Sequence, residues 1–387
     1  MKADVKQAAP RTMLIAAGGT GGHLFPAQAL ALELARRGWR IELATDHRVS
    51  SYGQDFPAAE IHLIPSATPS GGGPFARALA IVQLVRGTFV ASRIVRRIKP
   101  AAAIGFGGYP TVPPILAASK KGVPTIVHEA NAVLGRANKF LATHVTAVAI
   151  TNPNTKLVSS HAKMIETGNP VRPMVLEAAS TPYPSRTAED PFRLLVFGGS
   201  QGARVFSERV PPALEKLPPA HRQRLRITQQ CRAEDLDAVK AKYAGLGLAA
   251  ELAPFFKDLP ARIAASHLVI ARSGASTVSE LSVIGRPAIL VPLPGAIDQD
   301  QKANAAAIAA IGGAFLIEQS ALTPDRLAHE LSRFLDSPQT LEEAARKAKS
   351  FGRPDAVSRL ADLAEAVALH RLGPVASQPI QPAKGAA

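Results

Sequence analysis

Cysteine is nearly absent from this 387-residue chain, Cys231 being the single one. An internal disulfide is thereby excluded, as is a zinc site built on several thiolates, and a reducing compartment is expected. Aromatic residues make up only 5% and charged residues 19%, while Gly and Pro number 29 and 32. That balance excludes a coiled coil, a collagen or a mucin and points to a globular α/β protein of two or three domains. No run of about 18 uninterrupted apolar residues occurs, so no membrane-spanning segment is expected. Met1 to Arg11 lacks an apolar core, so no signal peptide is expected either. Acid is missing from a whole region. Between Ile61 and His128 there is no Asp or Glu, whereas Arg77, Arg86, Arg93, Arg96, Arg97, Lys99, Lys120 and Lys121 all fall there. The net charge of +15 is therefore concentrated in the first half. Such a surface attracts nucleic acid, anionic lipid or acidic substrates.

What is present is a repeated design. Thr12 to Ala17 reads as a buried strand, followed by Gly18-Gly19-Thr20-Gly21-Gly22-His23 and a helical pattern from Pro26 to Arg37. Phe192 to Phe197 begins the same way, followed by Gly198-Gly199-Ser200-Gln201-Gly202-Ala203 and a helical stretch from Arg204. Further strands are expected at 41–45, 102–105, 125–128 and 145–150, then at 226–229, 268–271 and 288–291. Helices between them imply parallel sheets. The fold class is α/β, two Rossmann-like doubly wound domains facing a cleft. The expected division is 11–177 for the first domain, a Pro/Ser-rich linker at 178–191, 192–350 for the second, and a C-terminal helix at 351–372 packing back on the first. The ends, 1–10 and 373–387, are expected to be disordered tails.

Glycines after a first strand let backbone approach a ligand, and the helix that follows offers free N–H groups to an anion. One reading is a nicotinamide dinucleotide site at Gly18 to Gly22 with Asp46 on the ribose, yet Gly19-x-Gly21-x-x-Leu24 lacks the third glycine of that fingerprint. His23 can instead serve as a general base, its neutral form being available near pH 7. Polar clusters recur at other strand ends: His128-Glu129-Ala130-Asn131, Gly168-Asn169-Pro170-Val171-Arg172, and Arg272-Ser273-Gly274 leading to Glu280. In the last, an unobstructed helix N-terminus suits a diphosphate and Glu280 suits ribose hydroxyls; an ordinary capped helix with a capping-box glutamate is the alternative. Asp298 to Asn304 offers several hydrogen-bonding shapes, as a sugar requires.

Together, these clusters and the Gly107-Gly108-Tyr109 loop, in this order from about Arg11 to Leu372, resemble the peptidoglycan glycosyltransferases that add N-acetylglucosamine to undecaprenyl-diphosphate-linked muramyl-pentapeptide. The resemblance implies a GT-B architecture and inverting transfer from UDP-N-acetylglucosamine to the muramyl 4-hydroxyl. It places the donor on Thr20, Gly21, Gly22, Asn131, Arg172, Ser200, Phe256, Ala275, Ser276, Thr277, Val278, Ser279, Glu280 and Gln301. His23 is the implied base, with Glu129 or a water as rival. No cofactor is required on this reading and no metal site is expected, Mg²⁺ stimulation being left open by Asp298-Gln299-Asp300. The implied place is the cytoplasmic face of the inner membrane, peripherally bound, with other cell-wall and division proteins as further partners.

From Phe75 to Ile98 the pattern is helical, and Arg86, Arg93 and Arg97 fall on the side of Phe75, Leu79 and Val90. That mixed strip suits contact with anionic lipid. The plainer alternative packs this helix on the sheet through Ile81, Val82, Val85 and Phe89. A mobile loop is expected at Thr68 to Pro74. No nucleic-acid partner is expected, since no helix-turn-helix, zinc spacing or aromatic platform accompanies the charge. Competing functional readings are another lipid or natural-product glycosyltransferase, the oxidoreductase above, and a basic membrane-associated scaffold.

Overall fold

The structure is a computed structural model that describes residues 11–18, 21–48, 56–68, 73–155, 162–199 and 202–370. Both expected tails, Thr20, Ser200 and the middle of the Thr68 to Pro74 loop lie outside the described residues.

The first sheet has seven parallel strands in the order β3-β2-β1-β4-β5-β6-β7. They are β1 Thr12–Ala16, β2 Arg40–Thr45, β3 Glu60–Leu63, β4 Ala102–Gly105, β5 Thr125–Glu129, β6 Ala147–Ile150 and β7 Lys163–Glu166. The second has six, in the order β10-β9-β8-β11-β12-β13. These are β8 Phe192–Phe197, β9 Leu225–Gln230, β10 Ala250–Ala253, β11 Leu268–Ala271, β12 Ala288–Leu290 and β13 Ala314–Leu316. The first strand of each half is central and apolar on both faces because helices cover both sides. Met13 and Ile15 join one core, Leu14 and Ala16 the other. In β8, Leu194 and Val196 face one core and Leu195 and Phe197 the opposite one, the period of two that a strand imposes. Strand order reverses between β1 and β4, and between β8 and β11, so a crevice opens above the carboxyl ends of those pairs.

The division between domains differs from the sequence expectation. The helix Pro173–Ala178, assigned above to the first domain, sends Val175 and Ala178 into the second core. The chain thus crosses between domains just after β7. It returns near Arg353, and the helix Ala356–Ala368 places Leu360, Ala361, Ala364 and Val367 in the first core. The two crossings touch. Gly168 has φ +80, and a Cβ there would lie 2.8 Å from the Arg353 Cβ, so glycine is required by conformation and by space. The segment 178–191 is a strap bound to the second domain: Arg286, 2% exposed, donates to the carbonyls of Thr181 and Pro182, and Arg186 to those of Phe334 and Leu335.

The helix Pro74–Ile98 turns its small residues inward. Ala80, Gly87, Ala91 and Val95 are buried, and a Cβ on Gly87 would sit 2.1 Å from the Pro65 carbonyl oxygen. Ile81, Val82, Val85 and Phe89, which the plainer alternative buried against the sheet, are 51–68% exposed, and Phe75 is 83% exposed. By length and composition this helix is apolar enough to cross a membrane; Arg77 and Arg86 interrupt the run and kept it from standing out in the sequence. Two expected lipid contacts change character. Val90 is only partly exposed, and Arg97 donates to Glu60 at 2.7 Å, tying the helix end to the sheet edge.

Candidate active site

His23 lies in the first turn of the helix Gly21–Arg36, which begins earlier than its sequence pattern suggested. Three glycines make room for the ring. A Cβ on Gly18 would come 3.4 Å from His23 Cδ2, one on Gly107 3.4 Å from Cε1, and one on Gly108 3.3 Å from Nε2. Gly107 and Gly108 also have φ of +86 and +75, a region closed to most side chains. Burial lowers the His23 pKa below its ordinary value, opposed by a hydrogen bond to the Phe106 backbone, and nearby Arg48 lowers it further. The ring is thus held neutral, as a base must be.

Two pockets meet at this histidine. One, mainly on the first domain with Asp298 and Asp300 of the second at its edge, is lined by Gly18, His23, Arg48, Tyr109, Arg136 and Asn138 among others. The other, of about 330 Å³, lies between the domains and has His23, Asn131, Arg172, Ser276, Glu280 and Gln301 in its wall; that is a common size for a small-molecule site. His23, Ala130, Asn131 and Asp300 line both.

Glu129, the rival base, sits at the end of β5 and is 3% exposed. Its Oε1 accepts from the backbone and side-chain nitrogens of Asn131, both at 3.0 Å, and its Oε2 from Gly135 N and Asn138 Nδ2, both at 2.9 Å. A carboxylate has about four acceptor positions, and all four are taken. Burial still holds its pKa above the usual carboxylate range. We therefore correct its role: Glu129 anchors the loop 130–138 and has no lone pair left for a substrate proton.

In the interdomain pocket, the helix Ala275–Ile284 points its N-terminus at the cavity with no side-chain cap and no acid in its first turn. Ser276 Oγ is buried without a partner. The segment expected to hold the donor divides in two. Ala275, Ser276, Thr277 and Glu280 line the pocket, whereas Val278 is packed in the core and Ser279 Oγ is bonded to Ala275 O and to Asn169 Nδ2. Glu280 accepts from Arg172 Nη2 at 3.2 Å, and the Arg172 guanidinium lies 4.4 Å from the centre of the Phe25 ring. Burial raises the Glu280 pKa, and Arg172 opposes it. Phe256 lines the pocket but is 7% exposed, with Arg262 stacked 4.2 Å over its ring; the exposed Phe255 lines the same pocket. Gly21, Gly22 and Gln301 are also in the wall, Gln301 Oε1 accepting from Leu293 N at 3.0 Å. Thr20 and Ser200 lie outside the described residues.

The sequence reading passed over several wall residues. Gln230, at the end of β9, donates to Gly199 O and Pro254 O and accepts from Gly198 N, so it pins the second glycine loop; its place at a strand end was the available signal. Phe25, Arg48 and Asn138 carried none. Asp46, the ribose ligand of the oxidoreductase reading, is 4% exposed and accepts three hydrogen bonds from Arg48. Among the described residues, the grouping of three potential metal ligands is Glu42, Glu60 and His62, away from the cleft and bridged by Arg40 and Arg97.

Residues 13–150 match the glycosyltransferase family 28 N-terminal domain, and residues 193–360 the glycosyltransferase family 28 C-terminal domain. A Methylobacterium nodulans protein named "UDP-N-acetylglucosamine--N-acetylmuramyl-(pentapeptide) pyrophosphoryl-undecaprenol N-acetylglucosamine transferase" is 59% identical over 355 residues, covering 91% of this chain and 95% of its own. A Brucella canis protein of the same name is 54% identical over 356 residues, covering 92% and 94%. The crystal structure of Acinetobacter baumannii MurG superposes with a TM-score of 0.75 at 31% identity, covering 92% of this chain and 99% of that one. A Neisseria meningitidis UDP-GlcNAc 2-epimerase, 12% identical with a TM-score of 0.63, shares the fold alone. With both domain models matched in order and relatives of this identity along nearly the whole chain, the protein is a member of glycosyltransferase family 28.

Proposed function

We propose that the protein transfers N-acetylglucosamine from UDP-N-acetylglucosamine to the 4-hydroxyl of an undecaprenyl-diphosphate-linked N-acetylmuramoyl-pentapeptide, with inversion. The observation that carries this is the position of His23 in the shared wall of two pockets, one able to hold a donor and the other an acceptor. His23 takes the proton of the acceptor hydroxyl as its oxygen attacks the sugar's anomeric carbon. The bond to the diphosphate breaks on the opposite side, and the leaving charge falls on the free N–H groups of the Ala275 helix and on the Ser276 hydroxyl. Glu280, held on one side by Arg172, accepts from ribose hydroxyls, and the Phe256 backbone meets the uracil. Because the helix terminus supplies the positive pole, transfer needs no metal; a divalent ion such as Mg²⁺ would stimulate by reaching the leaving diphosphate through Asp300.

The acceptor's lipid anchor requires a membrane nearby. The exposed strip of Phe75, Leu79, Ile81, Val82, Val85 and Phe89, flanked by Arg77, Arg86 and Arg93, fits peripheral attachment to the anionic cytoplasmic face of the inner membrane. Calorimetric titration with UDP-N-acetylglucosamine, its glucose and N-acetylgalactosamine analogues and NADH, followed by a transfer assay with a short-chain acceptor, tests the reading. Selective binding of the first ligand and sugar transfer are expected; binding of NADH alone would end the proposal.

A further inference from the structure

We infer that Arg48 is a positioning residue for the acceptor, holding one of its oxyanions in the first-domain pocket beside His23. The inference deepens the proposed function and rests on it.

The pocket next to His23 has two arginines in its wall, Arg48 and Arg136. They are not equivalent. Arg136 reaches across the cleft to Asp298 at 3.7 Å, so its placement depends on the second domain. Arg48 is fixed from within the domain that carries His23. The carboxylate of Asp46, its side chain 5% exposed, accepts from Arg48 N and Nε, both at 3.0 Å, and from Nη2 at 2.5 Å. One edge of the guanidinium is thereby clamped to a buried anchor that is not itself in the pocket wall. The side chain remains 49% exposed and lines the cavity. A planar donor fork held on one edge loses little further freedom when its other donors meet an oxyanion, which favours arginine over lysine here.

The other charged groups in that wall do not compete for the role. Glu129 has its oxygens occupied by four donors, while Asp298 and Asp300 belong to the opposite domain. The relatives' acceptor carries a pyrophosphoryl group and a pentapeptide, so the oxyanion is either a phosphoryl oxygen or a peptide carboxylate. Either would bring the sugar hydroxyl to a fixed place beside His23.

Steady-state kinetics of wild type, Arg48→Ala, Arg48→Lys and Asp46→Asn would test this with three soluble short-chain acceptors: the diphosphate, a monophosphate analogue, and a diphosphate whose peptide carboxylates are amidated. For Arg48→Ala the acceptor KM is expected to rise about tenfold or more, the loss of a charge-assisted hydrogen bond, with donor KM unchanged; the thermal midpoint falls as well, because the buried Asp46 carboxylate loses its guanidinium partner. Lysine restores part of the loss, and Asp46→Asn causes a smaller rise. Disappearance of the wild-type-to-Ala difference on the monophosphate assigns the contact to the diphosphate; disappearance on the amidated acceptor assigns it to the peptide. An unchanged acceptor KM, an equal rise in both KM values, or a loss in kcat alone with a displaced pH profile overturns the inference while leaving the transferase reading in place. Absence of transfer by the wild type overturns both.

Discussion

Asn304 of the second domain donates its side-chain N–H to the side-chain oxygen Oδ1 of Asn131 in the first at 3.0 Å. The same side chain accepts from Ala132 N at 2.7 Å and donates to Ser273 O at 3.1 Å, and Asn131 in turn bonds to Glu129. A continuous run of hydrogen bonds therefore links the loop beside His23 to the loop that opens the helix Ala275–Ile284. Such a tie between the two domains keeps the two pockets in register.

Asn304→Ala leaves the Ala132 N–H and the Ser273 carbonyl without their partners. Loss of about 1–3 kcal/mol is expected in urea unfolding, together with a fall in kcat larger than any change in donor affinity. An unaltered kcat would show that the two domains keep their spacing without this tie.

His23→Ala is expected to reduce turnover by about 10²- to 10⁴-fold, the usual contribution of a general base, while calorimetry finds nearly wild-type donor binding. Since burial depresses the His23 pKa below 6.5, the neutral base persists into mildly acidic solution. The acidic limb of the kcat profile should therefore lie below that value, and a limb above it would point to another group.

Glu129→Gln replaces an acceptor by an N–H₂ that must face donors. We expect a loss of about 1–3 kcal/mol in stability and reduced turnover, without displacement of the acidic limb. If Glu129 were the base, the limb would move or vanish while stability stayed intact.

Ser276 and Ser279, three residues apart, should respond in opposite ways. Ser276→Ala removes a buried hydroxyl that has no partner, so folding stability should hold or rise while donor affinity drops about 10- to 150-fold, the equivalent of one hydrogen bond to a charged group. Ser279→Ala should cost some stability and little donor affinity, because its hydroxyl already bonds Ala275 O and Asn169.

Acid should weaken the fold through buried histidines. Burial lowers the pKa of His128 from 6.5 to about 4, and that of His267 likewise to about 4. Between those values the unfolded chain binds protons that the folded chain does not, so stability is complete above pH 6.5 and declines as pH falls toward 4. For His128 the full effect is on the order of 3 kcal/mol. Urea midpoints at about pH 7 and about pH 5 check this, and His128→Gln should flatten the difference.

The strands that sequence reading missed are β3, β7, β10 and β13, and they are the outer edges of the two sheets. Central strands are covered on both faces and read as continuous apolar runs. Edge strands are short and half exposed, as in Glu60–Leu63, where only His62 is buried, so no run marks them. The helix Pro74–Ile98 was legible as a helix, yet its buried side was not: Ala80, Gly87 and Ala91 pack closest because they are small, a criterion that hydrophobicity alone reverses.

Local chemistry in the chain was enough to determine the βα alternation, the glycine loops after β1 and β8, and the set of motifs that marks the family, since each depends on residues close together in sequence. Tertiary structure alone decided that Glu129 is saturated by donors from three other residues, that Val278 and Ser279 are outside the wall of the interdomain pocket, that the helix Pro173–Ala178 belongs to the second core, and that Arg48 stands beside His23. Each of these depends on which distant group fills a lone pair, a core position or a cavity wall. Such pairings have no signature in local periodicity; they exist only once the chain has brought the groups together.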